Sequence, residues 1–212
     1  MHNMKGGMLM EDCKHDKIIA AATREFAKGY KAAHTDDIAR EAGVSKGLLF
    51  HYFGSKEKLY AATLEHAFTV IFSEFIAQID FSNGDIIERI LQATKLKCEL
   101  THKYPSLFEL SATAYIEGTH AEKFMPLYTD MTTRLFANID ESLFKEGIDA
   151  QKAAKVIHWS LTGYANAQVV PDKKLAQYQS EYEHYMAEMQ EYFIMFRKLF
   201  YKEGDNHDDS NS

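Results

Sequence analysis

The sequence predicts an all-α protein, and three observations carry that prediction. Only three of its 212 residues are proline, at positions 105, 126 and 171, so few sites force a helix to stop. Strong helix formers, Ala, Leu, Glu, Lys and Met, recur throughout. Strand signals are scarce: alternating β-branched runs are nearly absent, and Asn83-Gly84, a hairpin-type pair, sits between helical patterns. With 46% hydrophobic residues the chain can bury a core, which argues against global disorder.

The elements follow in order. Residues 1–11 lack periodicity and are expected to be disordered. From Asp12 a helical pattern runs through Ile18, Ile19, Ala22 and Phe26, and Gly29 closes it. Thr35 reads as an N-cap, with Asp36 and Asp37 in the first turn of a short helix from Asp36 to Ala42. Gly43-Val44-Ser45 is a tight turn, and Ser45 caps a further short helix from Lys46 to about Tyr52. Gly54-Ser55 breaks the chain again, and Ser55 opens a long helix reaching Ile79. Further helices are expected near 84–103, 105–117, 121–146, 150–169 and 173–203. Pro105 suits a first helical turn, and Pro126 should occupy a first turn or kink its helix. The polar tail 204–212 is expected to be disordered. This division gives a module over 12–57 and a larger helical domain over 58–203.

Net charge is −7, which on its face disfavours nucleic acid, yet the charge is uneven. Residues 1–62 hold ten Lys/Arg against eight Asp/Glu, whereas 63–212 hold 14 against 23. A chain that meets DNA through one small module can stay acidic elsewhere. Cys13 and Cys98 stand alone, so neither a disulfide framework nor a metal spacing is read, and a reducing compartment is implied. No apolar run is long enough to span a bilayer, and Met1–Met10 lacks the apolar stretch of a signal peptide. The expectation is a cytoplasmic, non-membrane protein. A P-loop, G-x-G-x-x-G and H-E-x-x-H are missing, so no enzyme activity and no cofactor are expected.

The informative stretch is Thr35 to Lys58, TDDIAREAGVSKGLLFHYFGSKEK. Ile38, Ala42, Val44, Leu49 and Phe53 can pack inward and fix two short helices at a steep angle. Lys46, Gly47, Leu48, His51 and Tyr52 then point outward, as a helix-turn-helix presents its second helix to a major groove. Gly47 has no side chain to hold the backbone away from base edges. Lys46 can reach a base or a phosphate. Thr35, Ser45 and Tyr52 supply hydroxyl donors, and Lys56 adds a cation at the groove edge. The same short-helix pair would also serve as plain packing in an all-α protein.

Together with IIAAATREFAKGY and FHYFGSKEKLY, this stretch resembles the tetracycline-repressor (TetR/AcrR) family over about Asp16 to Ala67. The resemblance implies nine helices per subunit, an Ω-shaped homodimer, a ligand pocket in the C-terminal domain, and repression relieved by ligand. Phe50 departs from the family, which usually has a tyrosine there that donates to phosphate. The missing hydrogen bond trims affinity by about 0.5–1.5 kcal/mol. Leu48, in place of a polar side chain, suggests apolar contact with a thymine methyl.

Leu175, Tyr178, Tyr182, Tyr185, Met189, Tyr192, Phe196 and Leu199 step by alternating threes and fours, an a/d seam. The preceding helix offers Val156, Ser160, Gly163 and Tyr164. These residues form the expected homodimer interface, the alternative being packing within one subunit. Phe68, Phe72, Phe75, Phe108, Tyr115, Met125, Tyr128, Trp159 and His158 are candidates to line an apolar effector pocket, the alternative being ordinary core. The expected partners are thus a pseudo-palindromic double-stranded DNA operator, a small-molecule effector and a second copy of the chain. The rival classes are an enzyme, a metal or redox sensor using Cys98 and His102, and a purely structural helical protein. The metal rival offers two ligands where zinc takes three or four.

Overall fold

A computed structural model describes residues 4–118, 121–167 and 180–203, with the side chains of 4–12, 121–125 and 166 left aside. Its described residues form nine α-helices and one 3-10 turn: α1 Met4–Phe26, α2 Thr35–Ala42, α3 Lys46–Phe53, α4 Lys56–Gln78, α5 Ile86–Lys103, α6 Pro105–Glu117, α7 Ala121–Leu135, the turn Glu141–Leu143, α8 Ala150–Ala167 and α9 Tyr182–Phe200. The expected all-α class is what is found. The chain divides into two compact units, 1–78 with 99–130, and 79–98 with 131–212.

In the first unit the apolar spacing read from the sequence does the packing. Ile18, Ala22 and Phe26 of α1 meet Ile38 and Ala42 of α2, Leu49 and Phe53 of α3, and Leu59, Tyr60 and Leu64 of α4 in one buried cluster. Each of the Ile, Leu and Phe side chains contributes about 1.5–3 kcal/mol when fully buried. Leu110 and Ala114 of α6 join the same cluster, so the short α2 and α3 are backed by the longer α1, α4 and α6. At the turn after α1, Thr113 Oγ1 donates to the Ala27 carbonyl at 3.0 Å, and Glu117 accepts the Tyr30 N–H at 3.3 Å.

The second unit is built on Ile86, Ile87 and Ile90 of α5, Ala153, Ala154, Ile157 and Leu161 of α8, and Met189, Phe193 and Phe196 of α9. Phe144 and Tyr201 pair as an isolated antiparallel bridge and close the end of this core. Arg89 is completely buried beside it. Its guanidinium donates to the carbonyls of Leu135 at 2.6 Å, Ala137 at 2.7 Å and Asn83 at 2.8 Å.

Several boundaries differ from the sequence expectation. α1 begins at Met4, within the stretch expected to be disordered, because propagating a helix from a seated turn costs little per residue. Residues 1–3 and 204–212 lie outside the described residues, as do 168–179, where the start of the last expected helix and the seam residues Leu175 and Tyr178 fall. α7 ends at Leu135 rather than near 146. Asn138 adopts a left-handed φ of 54°, and Arg89 takes the last carbonyls, so the helix has no reason to continue. Pro126 sits inside α7, beyond the first turn. Pro105 opens α6 as expected.

Thr35 is the first residue of α2 and not its cap. The cap position is His34, whose side chain makes no capping bond. Glu25 supplies the acceptor instead, taking the His34 N–H at 3.1 Å while its other oxygen lies 2.5 Å from Lys28 Nζ. Burial pushes the Glu25 carboxyl up, but the bonds from Lys28 and His34 outweigh it, so its pKa lies below the ordinary carboxylate range. The stabilisation is therefore complete above the unfolded pKa and is lost as pH falls through the lower folded one. Glu25→Gln is expected to lose about 1 kcal/mol at neutral pH, the order of one hydrogen bond. Its stability should also change less than the wild type's between pH 5 and 3 in urea titrations. Parallel curves would refute the capping role.

Candidate nucleic-acid interface

α2 ends on Gly43, which takes φ 68°, a left-handed conformation that L side chains rarely adopt. The Val44 N–H then donates back to the Ala39 carbonyl at 3.0 Å, closing the helix end. Two residues later Ser45 caps α3, its Oγ accepting the Leu48 N–H at 3.1 Å. Ser55 caps α4 in the same way, accepting from Lys58 N–H at 3.2 Å. Both caps are where the sequence places them. Gly43 to Gly47 also spells G-x-S-x-G, the pattern of a hydrolase nucleophile elbow. That elbow needs a strand before its serine, whereas Ser45 follows α2 and its Oγ is occupied as a cap.

α3 turns two sides. Leu49 and Phe53 are buried, and Phe50 is half-buried against the same core. Lys46, Gly47 and His51 are exposed, while Leu48 and Tyr52 are half-buried. The Tyr52 ring lies edge-on to His15 of α1 at 6.3 Å, and His15 also stacks on Phe53 at 5.1 Å. A Cβ added at Gly47 would meet nothing nearer than Ser45 Oγ, 4.0 Å away, so packing within the chain does not require a glycine there. Lys56 Nζ sits 4.7 Å over the Tyr30 ring, and Thr35 is half-buried in the first turn of α2. Of the set expected to point outward, Lys46, Gly47 and His51 are exposed, whereas Tyr52, like Phe50, packs in part against the core of the first unit. The sequence does not reveal the ion pair between Lys46 and Asp36, ten residues apart, because no helix period links those positions.

An exposed short helix, seated by a second helix through a left-handed turn, defines a helix-turn-helix. Residues 18–63 match the family model described as bacterial regulatory proteins, tetR family. RutR, an HTH-type transcriptional regulator of Escherichia coli K12, is 31% identical over 153 residues, covering 71% of this chain and 63% of its own length. NicS, an HTH-type transcriptional repressor of Pseudomonas putida, is 27% identical over 114 residues, 53% of each chain. The alignment with the activator FasR of Mycolicibacterium smegmatis, 42% identical over 64 residues, spans 30% of this chain and 29% of that relative. This chain therefore spans less than two thirds of these three curated relatives. A tetR family regulator from Shewanella sp. PV-4 shares the fold at a TM-score of 0.60 and 17% identity, over 90% of this chain and 99% of that one. Residues 18–63 thus share the segment that defines the tetR family of bacterial regulatory proteins, and the curated relatives aligned with this chain are named as transcriptional regulators.

The remaining expected residues are placed as follows. In the first unit, Phe75 is buried, Phe68, Phe72 and Phe108 are half-buried, Tyr128 is exposed, and Tyr115 is 73% exposed. The Met125 side chain lies outside the described residues. In the second unit, Trp159 is 66% exposed. His158 is half-buried against Phe136, and burial lowers its pKa. Neither Tyr115 nor Trp159 is enclosed within its own unit.

Of the expected dimer residues, Met189 and Phe196 turn into the second unit's own core. Tyr192 and Leu199, three residues after Met189 and Phe196, and Met195, next to Phe196, are exposed on the same helix, because steps of one or three residues do not complete a 3.6-residue turn. Val156, Ser160 and Gly163 are exposed on α8, and Tyr164 stacks between Tyr185 and Tyr192 while donating to Glu188. Tyr182 is half-buried. Among the described residues no group of three or more His, Cys, Asp or Glu could hold a metal ion, and no helix is long and apolar enough to cross a membrane.

Proposed function

We propose that this chain is a ligand-responsive transcriptional repressor that binds a pseudo-palindromic operator as a homodimer and is released by a small, largely apolar effector. The observation that carries this reading is the outward side of α3, where Gly47 leaves backbone open and Lys46, Leu48, His51 and Tyr52 surround it. Thr35, Ser45 and Lys56 flank it as phosphate-type contacts, and the region 12–57 acts as the DNA-binding module. Phe50 contributes packing beneath the contact surface. Relatives named as repressor and as activator both occur. Repression is proposed because a dimer seated on a promoter excludes other proteins without further machinery.

The remaining part, 58–203, carries effector binding and dimerisation in this reading. Phe68, Phe72, Phe75 and Phe108 are the proposed aromatic contacts for effector. An effector releases DNA only if it binds better to a conformation whose two recognition helices miss successive major grooves, about 34–36 Å apart. The dimer contact is proposed on Val156, Ser160 and Gly163 of α8 with Tyr192, Met195 and Leu199 of α9, all exposed in one copy. A Cβ at Gly163 meets nothing within 4 Å, so Gly163→Glu should leave a native circular dichroism spectrum. In sedimentation it should run as a monomer, and its operator affinity should fall at least about tenfold, since paired half-sites depend on the two-fold. A dimer of unchanged strength would remove this face from the interface.

The deciding experiment for the whole reading is selection from a random duplex library, followed by gel shifts across a salt series. A recovered palindrome bound with a steep salt slope is the expected result. Binding without sequence preference would overturn the regulator reading.

A further inference from the structure

Three cations around α2 and α3 are held by carboxylates of their own unit. Arg24 Nε lies 2.5 Å from Glu41 Oε1, and Arg40 pairs with Asp37. Lys46, at the head of α3, has its Nζ 2.9 Å from Asp36 Oδ1 and 3.0 Å from Oδ2. Both partners remain solvent-accessible, with Lys46 52% and Asp36 69% exposed. The lysine is therefore not shielded from a duplex; it is occupied.

A lysine at this place meets two kinds of acceptor on DNA. Phosphate is offered by every sequence, and guanine O6 with N7 only by some. We propose that Asp36 is an autoinhibitory residue of this surface: its carboxylate competes with DNA for Lys46 and so lowers affinity for every duplex, whatever its sequence. The proposal rests on α3 being the DNA-reading helix. An exposed ion pair contributes a factor of about two to five, the same order as one screened phosphate contact. A well-formed base contact contributes a factor of about 5 to 150. The pair therefore cancels the first kind of contact and weakens the second.

A simpler role for Asp36 is to favour the α2 dipole from its first turn. Asp37 occupies that turn too, and the dipole role makes no reference to Lys46. The two roles separate in a double-mutant cycle.

The test uses the full chain as wild type, Asp36→Asn, Lys46→Ala and the double variant. Each is titrated at several salt concentrations with the duplex recovered by selection and with a scrambled duplex of the same length. Asp36→Asn is expected to tighten the scrambled duplex about three- to tenfold at low salt, with a log–log salt slope steeper by about 0.9, one added phosphate contact. The selected duplex should gain at least as much, because there too Lys46 must leave Asp36, so discrimination holds or rises. In the Lys46→Ala background the same substitution should change neither affinity nor slope. An equal gain in both backgrounds would mean that Asp36 acts only as a bulk negative charge, and would overturn the proposal. No gain in either background would overturn it as well. Asp36→Ser repeats the readout should the amide disturb the start of α2, as circular dichroism would report. If selection recovers no preferred sequence, the DNA-reading role itself falls, an outcome distinct from a selected site whose affinity ignores Asp36.

Discussion

Gly47→Ala is expected to leave the fold as stable as the wild type, or more stable, while operator affinity falls about tenfold. A mid-helix glycine costs up to about 1 kcal/mol relative to alanine, and less near a helix start. The space around it is open, the nearest atom to a new Cβ being Ser45 Oγ at 4.0 Å. Nothing in the chain resists the methyl group, so the thermal midpoint should hold or rise. A duplex seated against α3 would be pushed outward by the same methyl, stretching hydrogen bonds that weaken steeply beyond about 3.2 Å. Losing one base contact costs about 1–3 kcal/mol, and each 1.4 kcal/mol is a factor of ten. Gly47→Gln, with a longer side chain, should lower affinity about a hundredfold with the same intact melting curve. Thermal denaturation beside gel shifts on the selected duplex reads both quantities. Unchanged affinity in both variants would place the DNA contact elsewhere.

Arg89→Ala is expected to remove about 3–5 kcal/mol of stability, the range seen when one partner of a buried ionic or hydrogen-bonded cluster is deleted. The guanidinium is fully buried and stays charged, although burial lowers its pKa. It is held there by the carbonyls of Asn83, Leu135 and Ala137, with the charges of Asp80 and Asp85 nearby. Without it, carbonyls beyond the end of α7 lose their donor, and each unsatisfied buried group costs about 1–3 kcal/mol. Gly84 is bound into the same junction: its carbonyl accepts the Asp140 N–H at 3.0 Å, and a Cβ there would lie 2.6 Å from Asp140 Cβ. For a chain of this size the loss corresponds to a midpoint about 6–20 °C lower. Arg89→Lys should recover only part of it, because three donors on one nitrogen cannot span carbonyls that a planar fork reaches. A drop below about 3 °C for Arg89→Ala would show that water replaces the guanidinium without cost.

Much of the helix-turn-helix was legible because its signals are local. Ser45 and Ser55 cap the helices that follow them, and Gly43 turns left-handed between α2 and α3, as short-range chemistry requires. Ile38, Leu49 and Phe53 are buried where the helical period puts them. The errors have equally physical causes. Thr35 looked like a cap because its hydroxyl is the usual capping group, but the acceptor came from Glu25, nine residues before the cap position in the chain. α7 looked ten residues too long because nothing local announces that Arg89, some 45 residues earlier, takes its last carbonyls. The seam on α9 mixed two faces because Met189 and Phe196 follow the same three-four steps as exposed Tyr192 and Leu199.

By itself the sequence determined the helical class, the order of the short helices, the serine caps of α3 and α4, and the exposed start of α3 at Lys46 and Gly47. Those properties depend on neighbours within a turn or two of helix, where spacing and side-chain chemistry leave few alternatives. Only the tertiary structure decided which carboxylate holds Lys46, which carbonyls hold Arg89, and which apolar stripe of α9 is spent in its own core. Each of these is a contact between residues that no period connects, fixed by how whole helices pack.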